Sequence, residues 1–142
     1  MNAEAGSSTP AIRRIAGLVE TSTSWGSLIV AGVSDYIRRH HGGGQSSRPR
    51  WTIYVDTRGY FERQELPAWW KGDGIIARVT SPLLVQQVRM GRIPCVNVSQ
   101  ICVPGAPIQQ VTSNQAQIGA LAAETLIKTG ARHFGYHGPP AR

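Results

Sequence analysis

Acidic residues are scarce in this 142-residue chain: eight aspartates and glutamates stand against fifteen lysines and arginines, a formal net charge of +7. Such an excess raises nucleic acid as a partner, but its distribution argues otherwise. It is nearly all arginine, spread as Arg13 and Arg14, Arg38 and Arg39, Arg48 and Arg50, then Arg58, Arg63, Arg78, Arg89, Arg92 and Arg132. Modules that read nucleic acid directly gather their charge on one helix or groove and interleave aromatics. The densest basic zone, residues 38–50, holds Gly42-Gly43-Gly44 and Ser46-Ser47 and reads as a solvated loop. DNA binding by this chain alone is expected to be weak, sequence-independent and salt-sensitive.

Long apolar runs are also absent. Hydrophobic residues make up 41% of the chain, yet no stretch reaches membrane-spanning length, so a soluble globular domain with no membrane partner is expected. Residues 1–10 lack a basic-then-apolar signal, which points to a cytoplasmic protein. The two cysteines, Cys95 and Cys102, are expected as reduced, partly buried thiols. Without export, the sequon Asn97-Val98-Ser99 is inert. The length suffices for about one domain.

Recognisable catalytic chemistry is missing as well. A dinucleotide site needs a glycine-rich turn after the first strand, where this chain has Thr21-Ser22-Thr23-Ser24-Trp25-Gly26. There is no Gly-Lys-Ser/Thr. Gly42-Gly43-Gly44 follows a helix end, the wrong end for an anion. Cys95 and Cys102 match no zinc template, and His40, His41, His133 and His137 do not join them at ligand spacing. No Gly-x-Ser-x-Gly elbow or carboxylate pair stands out. The expectation is therefore a non-enzyme with no catalytic residues, no metal and no cofactor.

What is present is a series of strand and helix patterns. Residues 14–20 are an apolar run suited to a central parallel strand. From Trp25 to Arg39, the residues Leu28, Ile29, Val33, Tyr36 and Ile37 share a helical face, with Ala31 and Gly32 permitting close packing. Residues 51–56 alternate as a second strand. Residues 67–71 predict a short helix, and residues 73–79 a third strand. Ser81-Pro82 opens a helix ending near Gly91, because serine caps and proline at the first position loses no needed N–H. A fourth strand follows at 94–98 and an irregular connector at 101–107.

The most informative stretch closes the chain. Residues 109–112 read as a strand, then Ile118, Leu121, Ala122 and Thr125, with Leu126 and Ile127, mark one helical face. Ser113 or Asn114 caps that helix, Gly130 stops it and Lys128 faces its negative end. His133-Phe134-Gly135-Tyr136 predicts a final strand, completing a strand–helix–strand crossover. Repeated βα units with short connections predict an α/β fold: an open parallel sheet with helices on both faces. Residues 1–11 are expected to be disordered, with the domain spanning 12–142.

In open parallel sheets, ligands bind at the carboxyl ends of the strands. That edge is expected to carry residues 20–26, 56–59, 78–81 and 97–100. From these, Ser24, Trp25, Asp56, Arg78 and Gln100 are the candidate ligand-binding residues, with Arg58 as a second guanidinium. An aromatic face with forked donors and amides suits a neutral, multiply hydroxylated ligand. The bland alternatives are that Trp25 anchors the first helix and that Arg78 pairs with a surface carboxylate.

The order of elements resembles the ligand-sensing domain of the lac-repressor type, which shares its fold with periplasmic sugar-binding proteins. Asp73-Gly74-Ile75-Ile76, Arg92-Ile93-Pro94-Cys95-Val96 and the run from Gln110-Val111-Thr112-Ser113-Asn114 to Gly138 carry the likeness. More narrowly, the chain is similar to the sensor of xylose-operon activators of the arabinose-regulator type. The segments are Trp51-Thr52-Ile53-Tyr54-Val55, residues 66–77, and Arg132-His133-Phe134-Gly135-Tyr136-His137-Gly138. The likeness spans roughly residues 12–140, and Ser113 stands where the family usually has aspartate.

The resemblance implies a single lobe of a type I periplasmic-binding-protein-like fold, with the second lobe and the DNA-binding domain absent from this chain. It also implies a small sugar as effector, DNA reached only through the missing domain, and homodimeric assembly. The function implied is sugar sensing in a transcription regulator of carbohydrate, notably xylose, catabolism, signalled by lobe closure. The alternatives are a solute-binding lobe for sugar transport and a small α/β enzyme.

Overall fold

A computed structural model describes residues 11–42, 49–57, 59, 65–106, 108–135 and 137–138. Of the tail expected to be disordered, all but Ala11 lies outside the described residues. The chain divides into two compact units, Met1–Thr112 and Ser113–Arg142.

The first unit is α/β, as expected. Its strands are β1 (Ile12–Leu18), β2 (Arg50–Val55), β3 (Gly74–Ala77), β4 (Cys95–Asn97) and β5 (Gln109–Gln110), with helices α1 (Ser24–His41) and α2 (Pro82–Gly91) between them. All pairings are parallel and the order is β2-β1-β3-β4-β5. β1 is flanked on both sides, which explains why Ile15, Ala16, Leu18 and Val19 are all buried. The chain steps one way from β1 through α1 to β2, and the opposite way from β3 through α2 to β4. Right-handed crossovers then place α1 and α2 on opposite faces.

Register sorts the side chains between those faces. Ala16 pairs with Ile75 and Leu18 with Ala77, and these residues cluster with Val79, Leu84, Val85 and Val88 of the α2 side. Leu84 and Ala77 are fully buried; a large side chain so placed contributes about 2 kcal/mol of burial. Ser81 starts α2 as expected, its hydroxyl accepting from the Leu83 N–H at 3.2 Å with Pro82 following.

Asp73 fastens β3 to β1. Its carboxylate accepts from the Arg14 N–H at 2.8 Å and from Arg13 Nη1 at 2.7 Å, while its own N–H donates to the Arg14 carbonyl at 2.7 Å. The Arg14 N–H above all, then the Arg13 guanidinium, hold this carboxyl below its ordinary range.

Two local expectations are corrected in this unit. Residues 67–71 form a turn, with the Trp70 N–H donating to the Pro67 carbonyl at 2.8 Å, and no helix. So short a segment cannot repay helix nucleation, and Leu66 and Trp70 are instead committed to the α2-side cluster. Trp70 also joins an aromatic group with Tyr54 and Trp69. Gly32 is exposed with open space around it; the close approach falls at Gly26, where an added Cβ would lie 1.4 Å from the Glu20 carbonyl oxygen.

The second unit contains α3 (Gln115–Lys128). Asn114 caps it, Oδ1 accepting from the Gln117 N–H at 3.1 Å, and Gly130 ends it at φ +84°. No residue of α3 is buried. The expected strand at 133–136 does not form over residues 131–135, and Tyr136 lies outside the described residues. A strand needs a neighbour to accept its backbone hydrogen bonds, and this unit supplies none among its described residues.

Candidate functional site at the carboxyl edge of the sheet

The loops leaving β2, β3, β4 and β5 at the carboxyl edge are each tied down at their first residue. The N–H of Asp56 donates to Gly17 (3.1 Å), Arg78 to Leu18 (3.1 Å), Val98 to Ala77 (2.9 Å) and Val111 to Asn97 (2.9 Å). Since the connections from β1 and β3 diverge, the crevice of this edge opens between those two strands, where open α/β sheets place their ligands.

An ion pair spans that crevice. Glu20, just beyond β1, is only 5% exposed, and Arg78, just beyond β3, sets Nη1 3.6 Å from its Oε2. The Ser22 hydroxyl donates to Glu20 Oε1 at 3.2 Å. The first turn of α1 presses against the Glu20 backbone through Gly26, and the Ser27 hydroxyl donates to the Thr21 carbonyl at 3.2 Å. The loop after β1 is therefore fixed by helix, hydroxyl and guanidinium together.

The far side of the crevice rests on a buried polar network. Asn97 Oδ1 accepts from the N–H groups of Val79 (3.0 Å) and Ser99 (2.9 Å), while Nδ2 donates to the Ile101 carbonyl (3.1 Å). Gln110 Nε2 donates to the Ser99 carbonyl at 2.6 Å, and Cys102 Sγ donates to Gln110 Oε1 at 3.4 Å. The two buried N–H groups, of Val79 and Ser99, are thus both satisfied by Asn97, which holds the start of these loops in place.

The residues expected from sequence all follow carboxyl ends of strands. Ser24 and Trp25 open α1 and are exposed, Trp25 by 40%. Asp56 is half-buried after β2, Arg78 half-buried after β3, and Gln100 exposed in the bend after β4. The crevice brings Trp25 and Arg78 to its two flanking loops, whereas Asp56 and Gln100 stand one strand further out on either side. Arg58 lies outside the described residues. The partner of Arg78 is a buried carboxylate rather than a surface one. Sequence reading passed over Glu20 as a member of the site, although a glutamate and an arginine each closing an apolar strand run was the available signal.

Two grooves lie elsewhere in the first unit. One, about 550 Å³, runs between α2 and the turn at Val103, Pro104 and Gly105. The other, about 480 Å³, lies toward the amino end of the strands and is lined mainly by Ile15, Trp51, Ile76, Pro94 and Val96. Its polar pair, Arg13 and Asp73, is already joined. Neither offers convergent polar groups at the carboxyl ends, so the edge crevice is the stronger site.

Both cysteines are free; burial pushes the Cys95 thiol up to about 11, while Cys102 is exposed. Among the described residues no cluster of His, Cys, Asp and Glu could hold a metal, and no helix is long and apolar enough to cross a membrane. No protein-family model, characterised protein or solved structure matches the chain.

Proposed function

We propose that this chain is the sugar-sensing part of a cytoplasmic transcription regulator of carbohydrate catabolism, with a pentose such as xylose as effector. The observation that carries the reading is the Glu20–Arg78 pair across the crevice between β1 and β3. It gives that crevice acceptors and a guanidinium with little net charge, and Trp25, exposed in the first turn of α1, offers an aromatic face. A neutral polyol needs this combination.

In this proposal the first unit is one lobe of a periplasmic-binding-protein-like sensor, and a second lobe outside this sequence closes over the sugar. The unburied apolar residues of α3, Ile118, Leu121 and Leu126, support it, because such a stripe suits a sheet, and the described residues of the unit Ser113–Arg142 supply none. Closure shifts the population of a dimer toward one DNA-binding geometry, DNA being reached through a further domain outside this sequence.

Calorimetric titration of the complete protein with pentoses tests the reading. Arg78→Ala leaves sugar hydroxyls unpaired and Glu20 without its guanidinium, at an expected cost of about 2–3 kcal/mol, or roughly thirty- to hundred-fold in xylose affinity. Unchanged affinity in that variant removes Arg78 from the site.

A further inference from the structure

We propose that the amino edge of the sheet in the first unit is a sequence-independent contact surface for the phosphate backbone of duplex DNA. The inference stands on the placement of charge and does not depend on the sugar-sensing reading.

Arginines that are spread along the sequence are gathered by the topology. In a parallel sheet every strand starts at one edge, and each helix joining two strands ends there. β1 thus brings Arg13 and Arg14 to the amino edge, α1 brings Arg38 and Arg39 in its last turn, and β2 brings Arg50. Lys71 precedes β3, and α2 adds Arg89 in its last turn and Arg92 at its C-cap. All of these are exposed.

The acids at this edge are outnumbered. Asp35 is shared by Arg38 and Arg39, and Asp73 pairs with Arg13. Arg38 and Arg39 remain 78% and 68% exposed, so these pairs contribute little and yield to a stronger anion. Glu65 stands apart, next to Leu66, whose N–H meets Gln87 midway along α2. At the carboxyl edge the balance is reversed, with Glu20 and Asp56 against Arg78 among the described residues.

The chemistry of the edge fits phosphate. All but one of its cations are arginine, whose planar fork takes two phosphate oxygens at once. Aromatic rings are interleaved with them, as on nucleic-acid contact surfaces. Tyr36, 52% exposed, lies 4.6 Å from the His40 ring, and Trp51 stacks on His41 at 4.3 Å. From β2 to β4 the edge spans three inter-strand spacings, about 14 Å. A duplex strand offers a phosphate about every 3.4 Å of axis, so about four come within reach. The described residues present strand starts and helix ends there rather than a helix flank, which keeps base edges out of reach.

The test uses the full chain and two unrelated duplexes of about 20 base pairs, titrated by fluorescence anisotropy between about 50 and 200 mM salt. Contacts to about four phosphates should weaken binding about 150-fold over that range, equally for both duplexes. Arg38→Gln with Arg50→Gln removes two contacts and should shrink the drop to about tenfold. Thr23→Glu with Thr57→Glu lowers the net charge by the same amount at the carboxyl edge. That pair lies about 20 Å away, beyond the screening length, and should keep the drop of the parent protein. Amide shifts induced by DNA should gather at residues 12–14, 38–41 and 49–51.

Equal salt dependence in the two double variants overturns the assignment, as does a parent protein that binds neither duplex at about 50 mM salt. Preference for one duplex means that base edges are read, and overturns it too. Polyglutamate binding more tightly than the duplexes overturns it in favour of an acidic protein. Phosphatidylserine vesicles doing so overturn it in favour of a membrane. Each of these results leaves the sugar-sensing reading standing.

Discussion

Gly26 and Asp73 carry structural demands that no contact inventory of the core would reveal. At Gly26 the backbone of α1 lies so close to Glu20 that a methyl group would sit 1.4 Å from its carbonyl oxygen. Neither partner can yield, because one is helix and the other follows the central strand. Gly26→Ala is expected to destabilise the first unit by about 3 kcal/mol, read as a lower denaturation midpoint at unchanged slope. Gly32→Ala, on the same helix but in open space, provides the contrast and should stabilise slightly through helix propensity.

Asp73 makes a pH prediction. Its carboxyl is held below the ordinary aspartate value by the Arg14 N–H first and the Arg13 guanidinium second. A depressed folded value means that its contribution is present above the unfolded value and disappears as pH falls through the folded one. Acid titration of stability should therefore show a loss beginning below about pH 4, and that loss should shrink in Asp73→Asn. An identical acid profile in the variant would assign the loss to other carboxylates.

Among the elements, those with a periodic pattern and a local stop signal were legible in the sequence. α2 was readable from Ser81, Pro82 and its apolar spacing, and α3 from Asn114 and Gly130, because capping is chemistry between near neighbours. The candidate site was legible only in outline. Parallel strands announce which loops share an edge, so Trp25 and Arg78 could be placed; which charges meet there depends on the order β2-β1-β3, and Glu20 was missed for that reason. The failures have the same cause. Residues 67–71 follow tertiary anchors rather than helix propensity, and residues 133–135 have no strand to pair with among the described residues of their unit.

The loops after β3 and β4 yield a test at this scale. Asn97 alone satisfies the N–H groups of Val79 and Ser99 through one oxygen. Asn97→Ala should cost about 3 kcal/mol, since buried donors are left unpaired, whereas Asn97→Asp, which keeps an accepting oxygen, should cost less. Equal losses in thermal unfolding would show that the network is not what rigidifies this side of the crevice.

For the whole molecule, the two units imply different fates for their apolar surface. Ile118, Leu121, Leu126 and Ile127 are each 48–63% exposed, which is much apolar area for one helix to present to water. Light scattering should show self-association of the full chain, and truncation after Thr112 should leave a monodisperse unit with a cooperative melt. Association that survives the truncation would locate the contact in the first unit. The scarce acids, by contrast, are spent locally: Asp35 on Arg38 and Arg39, Asp73 on Arg13, Glu20 on Arg78.

The central position of β1 has a consequence for synthesis. β1 leaves the ribosome before its partners in the sheet, yet in the finished sheet it needs a partner on both sides. β2 serves one side once residue 55 has emerged, but the other side waits for β3 at residues 74–77. Through that interval the strand whose second half is buried in the finished sheet presents a bare edge, the form in which nascent chains pair wrongly. Asp73, which captures the backbone of Arg14 on arrival, is thus placed to be the latch that ends the exposure.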